Sequence, residues 1–201
     1  MAAYDPQHYH RRSIRLKGYD YAQSGAYFVT ICTYQHQSLF GVVVGGEMVF
    51  NSFGQVVWEE WFKSARIRSE IELFTDEFVV MPNHIHGIIW IVNDPTVPAT
   101  RRVAPTIPRV TQTIPRVAPT PSSRPCGPRP GSIGAIIGQD KSAVTKRINQ
   151  IRETLGEPIW QRNYHDRIIR DETELINIRA YIADNPRRWT EDRYHPEKGG
   201  S

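Results

Sequence analysis

The sequence predicts a single domain that combines strands and helices, and three observations support this. The chain has 201 residues, which is enough for one domain with a sizeable core. Several short segments are rich in β-branched and aromatic residues, a composition typical of strands. Other segments place apolar residues at helical spacing and polar residues between them. Because the two kinds of segment are interleaved, we expect strands and helices to pack into one unit.

The first part of the chain is predicted to be mostly extended. Gly45 and Gly46 separate two short apolar segments and indicate a hairpin. Asn51 or Ser52 can cap a helix that runs to about Ser64. The predicted strands cover residues 26–32, 40–44, 47–50, 71–81 and 84–92.

Residues 95–131 differ sharply from the rest of the chain. They contain ten of the fifteen prolines and no acidic residue. Proline at this density excludes helices and central strands. We therefore expect a low-complexity linker, disordered or polyproline-like, that acts mainly as a spacer. Its six arginines are Arg101, Arg102, Arg109, Arg116, Arg124 and Arg129.

The last third of the chain is predicted to contain two helices. An amphipathic helix covers residues 133–155, and short extended segments follow at residues 159–161 and 166–170. Asp171 and Glu174 form a pair of the capping-box kind at the start of the second helix. Pro186 disfavours helical geometry at Asn185, so this helix should end there and leave Asn185 free to reach inward.

Two pairs of residues are candidates for chemistry. His84 and His86 are separated by one residue of a strand, so their imidazoles project from the same face and can converge on one divalent cation. The alternative is a packed or hydrogen-bonded pair at a sheet edge. Tyr181 and Asn185 lie one helical turn apart on a face beside the apolar stripe. Taken alone, a helical tyrosine such as Tyr181 is far more often a half-buried residue with its hydroxyl on water.

These motifs carry a family resemblance. The His84-Ile85-His86 segment resembles the histidine-hydrophobic-histidine motif of the HUH endonucleases, and residues 181–186 (Tyr-Ile-Ala-Asp-Asn-Pro) resemble the catalytic-tyrosine segment of single-tyrosine transposases. Residues 25–31, 78–86 and 160–170 are also similar to the REP-associated tyrosine transposases, an IS200-like transposase group. The resemblance covers nearly the whole chain except the proline-rich insert. It implies an α+β fold with a ferredoxin-like (RRM-like) core, in which the helices pack on one face of a central antiparallel sheet.

The resemblance also implies an activity. Tyr181 would attack a phosphodiester of single-stranded DNA in a hairpin-forming, REP-like repeat, giving a 5′-phosphotyrosine and a free 3′-hydroxyl. His84, His86 and Asn185 would hold one cation, Mg²⁺ or Mn²⁺. Tyr164, which lies beside His165, is a rival nucleophile. We prefer Tyr181 because the family motif falls on it.

Basic residues are candidate DNA contacts. Residues 1–25 combine basic and aromatic side chains, which suits an arm that contacts phosphates and stacks on bases, although a solvated tail is the alternative. The candidate DNA-binding residues are Arg11, Arg12, Arg15, Lys17, Lys141, Lys146, Arg147, Arg167, Arg170, Arg187 and Arg188.

Composition limits the cellular context. The net charge is +4 and the isoelectric point is about 9.2, a weak indication of a nucleic-acid partner. No apolar run is long enough to cross a bilayer and no secretory signal begins the chain, so we expect no membrane partner. Cys32 and Cys126 do not suggest a disulfide framework. We expect a cytoplasmic, nucleoid-associated monomer or homodimer.

The predicted organisation is an N-terminal arm (residues 1–25), one domain (residues 26–94 and 132–195), the insert (residues 95–131) and a tail (residues 196–201). Two other functions stay open. One is a non-catalytic nucleic-acid-binding module with an RRM-like sheet, which needs neither Tyr181 nor a metal. The other is a replication-initiator type of HUH nuclease, which more often has further histidines or a second tyrosine.

Overall fold

The computed structural model describes residues 18–92 and 127–198. Within these ranges it contains seven strands and three α-helices. The strands are β1 (Gly25–Cys32), β2 (Gly41–Val44), β3 (Glu47–Phe50), β4 (Ile71–Glu72), β5 (Phe78–Met81), β6 (His84–Ile91) and β7 (His165–Ile169). The helices are α1 (Ser52–Ile67), α2 (Ile133–Ile151) and α3 (Glu172–Asp184).

The main sheet is antiparallel and is built around β1 and β6. These two strands pair along their whole length, from Gly25 opposite Ile91 to Cys32 opposite His84. Strand β7 pairs with the other edge of β1, while β4 and β5 both pair with β6. The order β5-β6-β1-β7 with α1 and α2 as the intervening helices is the ferredoxin-like arrangement. The α+β class is therefore confirmed.

Helices α1 and α2 pack on one face of this sheet. Alternate residues of β1, such as Tyr27 and Ile31, join α1 and α2 side chains in the larger apolar cluster. Gly87 of β6 lies under α1, and a Cβ atom there would be only 2.5 Å from the Trp61 ring. The absence of a side chain at Gly87 thus lets Trp61 lie close to the sheet and stack on Phe78, with ring centroids 4.5 Å apart.

Helix α3 packs on the opposite face. Its apolar stripe of Leu175, Ile178 and Ile182 covers a second cluster that includes Ile88 and Trp90 of β6. The expectation that the helices share one face holds for α1 and α2 and is wrong for α3. The physical reason is that β6 is buried along its whole length on both faces, so a second layer is needed to exclude water from it.

A buried polar contact fixes α3 on the sheet. Glu77 is completely buried and accepts hydrogen bonds from Arg179 Nε (2.8 Å) and Trp90 Nε1 (2.6 Å). Because Glu77 lies in a 3₁₀ turn, Thr75–Glu77, the predicted strand over residues 71–81 is interrupted there and forms β4 and β5.

Element boundaries differ from the predictions in two other places. Helix α2 ends at Ile151, four residues early, because Glu153 has a left-handed φ of 54°. Helix α1 continues past Ser64 to Ile67. Helix α3 ends at Asp184 with Asn185 as its C-cap, as the sequence predicts, and only the expected loss of helical angles at Asn185 is wrong, because that residue keeps φ −57° and ψ −43° in spite of Pro186.

Two local predictions are confirmed. Strands β2 and β3 form the hairpin, with Gly45 and Gly46 at φ 60° and 81°. The Asn51 side chain caps α1 by accepting from the backbone nitrogens of Phe53 and Gly54. In residues 18–92 and 127–198, no helix has the length and apolar character needed to cross a membrane.

Candidate metal and nucleophile site

His84 and His86 lie side by side on the face of the sheet that α3 covers. Both are buried, and their Nε2 atoms are 3.1 Å apart. The other ring nitrogen of each histidine is held by a neighbour. Thr30 Oγ1 is 2.8 Å from His86 Nδ1, and Asn83 Oδ1 is 2.8 Å from His84 Nδ1.

Asn83 determines which nitrogen of His84 carries the proton. Its Nδ2 donates to the backbone carbonyls of His36 (3.1 Å) and Tyr194 (2.6 Å). The amide oxygen must therefore face His84, and an amide oxygen only accepts. His84 consequently donates from Nδ1, which leaves a lone pair on its Nε2.

Burial keeps both rings neutral. It lowers the pKa of His84 to about 4, although Asp192 acts in the opposite direction. Burial and the neighbouring His84 hold the pKa of His86 well below its usual value. Neutral imidazoles are the form that binds metals, so the pair is set to offer two nitrogen ligands at neutral pH.

Asp192 and Asn185 bring side-chain oxygens, which are possible metal ligands, close to the histidine pair. The Asp192 side chain is 5% exposed, and its Oδ2 lies 4.0 Å from His84 Nε2. The ligand atoms of His84, His86 and Asp192 all lie within 4.8 Å of one another. Asn185 donates from Nδ2 to Asp192 Oδ2 (3.3 Å), while its buried Oδ1 has no hydrogen-bond partner among the described residues.

These nitrogen and oxygen atoms are suitable ligands for a divalent cation. Ligands at right angles around an ion with bonds of about 2.1 Å are about 3 Å apart, close to the separation of the two Nε2 atoms. The unpartnered Asn185 oxygen is a buried polar atom that a cation would satisfy. His84, His86 and Asp192 could therefore hold a metal ion, with Asn185 beside them.

Tyr181 brings a hydroxyl to the histidine pair. Its oxygen lies 3.1 Å from His86 Nε2. Phe28 supports both rings, stacking on His86 at 5.5 Å and meeting Tyr181 edge-on at 6.1 Å. Burial and the nearby Asp192 raise the pKa of Tyr181, so the phenol is protonated at neutral pH and lies within hydrogen-bond distance of His86 Nε2. The residue is still 41% exposed and can be reached from outside.

The segment after α3 covers the histidine pair from the C-terminal side. Tyr194 contacts His84 with ring centroids 4.7 Å apart, and Trp189 lies 6.0 Å from the same ring. Sequence reasoning missed Asp192 and Tyr194. Both follow a short 3₁₀ turn, Trp189–Glu191, in which no periodic pattern indicates the direction of a side chain.

Tyr164, the rival nucleophile, is not brought to this site. It packs against the apolar cluster under α1 and α2 and lines an open groove of about 880 Å³ between α2 and residues 155–164. That groove is on the other side of the sheet from His84 and His86.

The predicted DNA contacts are in varied surroundings. Arg11, Arg12, Arg15 and Lys17 lie outside the described residues. Lys146, Arg170 and Arg187 are exposed. Lys141 donates to the backbone carbonyls of Gln161 (2.5 Å) and Arg162 (3.2 Å), so its ammonium group links α2 to the segment before β7.

The remaining three candidates form ion pairs. Arg147 joins α2 to α1 through Glu59 and Glu60, both at 2.7 Å. Arg167 contacts Glu174 (2.5 Å), and Arg188 contacts Glu191 (3.2 Å). Their assignment as DNA contacts stays a prediction.

Comparison with known proteins gives one similar sequence and a shared fold. A protein of Haemophilus influenzae, described only as uncharacterized, is 35% identical over 191 residues, which are 93% of this chain and 94% of that protein. No protein-family model matches the chain. A solved structure of a REP-associated tyrosine transposase bound to a REP hairpin superposes with a TM-score of 0.53 over 90% of this chain and 77% of the other, at 15% identity.

Proposed function

The chain belongs to one family with the Haemophilus influenzae protein and has the fold of the REP-associated tyrosine transposase, and on that premise we propose that it is a metal-dependent single-stranded DNA endonuclease and strand transferase. One observation carries the proposal. The Tyr181 hydroxyl lies 3.1 Å from the nitrogen of a buried histidine pair that can bind a cation. A candidate nucleophile and a group that could hold a cation are thus adjacent.

In the proposed reaction the Tyr181 oxygen attacks the phosphorus of a DNA phosphodiester. A bond forms between phosphorus and the phenolic oxygen, and the bond to the 3′ oxygen breaks. The phenol loses its proton and the leaving 3′ oxygen gains one. The products are a 5′-phosphotyrosine and a 3′-hydroxyl, and the reverse reaction rejoins a strand without a nucleotide cofactor. Phosphoryl transfer of this kind depends mainly on positioning and on charge stabilisation.

The residues that would hold the cation are His84, His86, Asp192 and Asn185. Two imidazoles combined with a carboxylate and an amide oxygen suit Mn²⁺ or Mg²⁺ in the cell, while Zn²⁺, Ni²⁺ or Co²⁺ can bind more tightly in vitro. When bound, the cation would polarise a phosphate oxygen and stabilise the charge that develops there.

The proposed substrate is a single strand that forms a hairpin. The solved structure with the same fold is described with a REP hairpin, and the excess of positive charge in this chain suits a nucleic acid. We place the protein in the cytoplasm, associated with the nucleoid, as a monomer or homodimer.

A non-catalytic RRM-like module is less well supported. Such a module stacks bases on aromatic rings at an open sheet face. Here that face is covered by α3 and by the segment after it, and Phe28 packs beneath His86 and Tyr181. The covered face suits a built site better than an open binding platform.

The test is formation of a covalent protein–DNA adduct. Wild-type protein is incubated with Mn²⁺ and single-stranded oligonucleotides taken from repeats that flank its own gene, and products are separated under denaturing conditions. We expect an adduct that requires the cation and that Tyr181→Phe does not form. If DNA is bound but wild-type protein never yields an adduct or a nicked strand, the proposed function is wrong.

A further inference from the structure

Among the residues that the structure describes, strand β7 is at the edge of the main sheet, beside the site. It is the last strand of the sheet, next to β1. Its register places His165 opposite Thr30 and Arg167 opposite Phe28, while Thr30 lies opposite His86 on the other side of β1. Directly paired residues of antiparallel strands project from the same face. His165 and Arg167 therefore project from the face that carries His86.

A polar row crosses the sheet from the histidine pair to this edge. His86, Thr30 and His165 occupy neighbouring positions on three successive strands, and Thr30 is hydrogen-bonded to His86. Strands are about 4.8 Å apart, so the backbones of His86 and His165 are about 10 Å apart. His165 is exposed, and the Arg167 side chain is 70% exposed.

Arg167 is also tied to the flank of α3 that carries the nucleophile. Its guanidinium contacts Glu174 at 2.5 Å. Glu174 and Tyr181 are seven residues apart, so they lie on the same side of the helix, two turns from each other. Phe28, which pairs with Arg167, contacts the Tyr181 ring. A continuous surface thus leads from the Tyr181 hydroxyl over Phe28 to Arg167 and His165.

We propose that the DNA strand attached to Tyr181 crosses this β7 edge, with Arg167 and His165 contacting phosphates near the scissile one. The proposal rests on the proposed function and assigns a path to its substrate. Successive phosphates of a stacked strand are about 3.4 Å apart along its axis, so about 10 Å spans up to three nucleotides. Arg167 offers a planar fork that matches a phosphate, and His165 adds a ring N–H donor.

Glu174 should weaken DNA binding along this path, because it already pairs with Arg167. It holds Arg167 in the absence of DNA and would compete with a phosphate for the guanidinium. Its other carboxylate oxygen accepts from the Arg170 backbone nitrogen (2.9 Å), a contact that glutamine can keep. Glu174→Gln should therefore release Arg167 and tighten DNA binding, whereas Glu172→Gln, which removes an exposed charge of the same helix, should change it less.

The experiment measures oligonucleotide binding by the Tyr181→Phe protein, which should bind DNA without cleaving it. Arg167→Gln and His165→Gln are compared with Arg66→Gln, an exposed site on α1 across the sheet. Each of the two β7 variants should weaken oligonucleotide binding about threefold to tenfold, and Arg167→Gln, which removes a positive charge, should also reduce the salt slope by about 0.7. Uncharged methylphosphonates are then placed one at a time along the single-stranded part of the oligonucleotide. One of them should abolish the effect of each β7 substitution.

Two outcomes distinguish failure of the proposed DNA path from failure of the proposed catalytic function. If Arg167→Gln and His165→Gln bind like Arg66→Gln, or if no single methylphosphonate couples to either, the path is wrong even when wild-type protein forms the adduct. If the phosphates couple as expected while no adduct forms with wild-type protein, the path is supported and the proposed catalysis fails. Thermal unfolding of each variant shows that the fold is retained.

Discussion

Glu77 and Arg179 connect α3 to the edge of the sheet beyond β6, with Arg179 Nε 2.8 Å from Glu77 Oε1. Glu77 is fully buried in this contact and the Arg179 side chain is 20% exposed, and Trp90 Nε1 donates to the second carboxylate oxygen. Since Tyr181 lies two residues after Arg179 on the same helix, this ion pair helps to position the proposed nucleophile against His86.

Breaking this pair should destabilise the protein. Arg179→Met leaves the Glu77 carboxylate buried without its charge partner, and we expect a loss of about 3–5 kcal/mol in the free energy of unfolding. Adding Glu77→Gln to Arg179→Met should recover part of that loss, because the orphaned charge is removed. Denaturant titration measures both, with Arg66→Met as the control. A double variant that is less stable than the single one would contradict the account.

Thr30 should influence metal affinity without touching the metal. Thr30→Val keeps the shape of the side chain and removes the hydrogen bond to His86 Nδ1. Loss of such a supporting bond typically costs about tenfold to a hundredfold in affinity. Calorimetric titration with Mn²⁺ tests this, and Thr145→Val on α2 is the matched control. Equal affinities in Thr30→Val and wild type would show that the ring is held by other contacts.

Substitution of Asp192 should lower Mn²⁺ affinity, whereas substitution of Asp184 should not, although both residues follow Tyr181 in the chain. Asp192→Asn removes a carboxylate from the group that can hold the cation, so Mn²⁺ affinity should fall at least tenfold. Asp184→Asn alters a carboxylate outside that group and should leave Mn²⁺ affinity unchanged. The same titration decides, and a larger loss for Asp184→Asn would invalidate the ligand assignment.

Asp140 should make stability depend on pH. This α2 residue is buried, neither carboxylate oxygen has a hydrogen-bond partner among the described residues, and burial together with Glu60 raises its pKa to about 7. The folded state therefore favours the protonated acid. Its contribution is complete below the unfolded pKa near 4 and is lost as pH rises through about 7.

Asp140→Asn tests this dependence, since asparagine is neutral at every pH. The variant should match wild type near pH 4 and be more stable near pH 8, by at most about 4 kcal/mol. Lys63 and Arg147, which neutralise Glu60, are unchanged in the comparison. Unfolding curves at both pH values give the result, and parallel pH profiles for the two proteins would refute it.

Sequence reasoning anticipated the parts of the site that depend on regular periodicity. His84 and His86 share a face because strand residues alternate, and Tyr181 lies one turn from Asn185 because helix positions four apart are neighbours. It did not anticipate that α3 covers the histidine face. The uninterrupted apolar run from Ile88 to Ile91 was a usable signal, because such a strand needs cover on both sides.

Other parts could not be predicted from local patterns. Asp192 reaches the histidines only because residues 186–192 turn back after α3, and that path depends on tertiary contacts such as the bond from Asn83 to the Tyr194 carbonyl. The inward direction of Glu77 likewise depends on Arg179, a partner more than a hundred residues away.

The central claim is that Tyr181 is the nucleophile, and identifying the DNA-linked residue tests it most directly. The adduct formed by wild-type protein with Mn²⁺ and a single-stranded hairpin substrate is digested with a protease, and the peptide that carries the nucleotide is sequenced by mass spectrometry. The account predicts the nucleotide on Tyr181, with no adduct from Tyr181→Phe and a normal adduct from Tyr164→Phe. A nucleotide on Tyr164, or on a residue other than tyrosine, would contradict it.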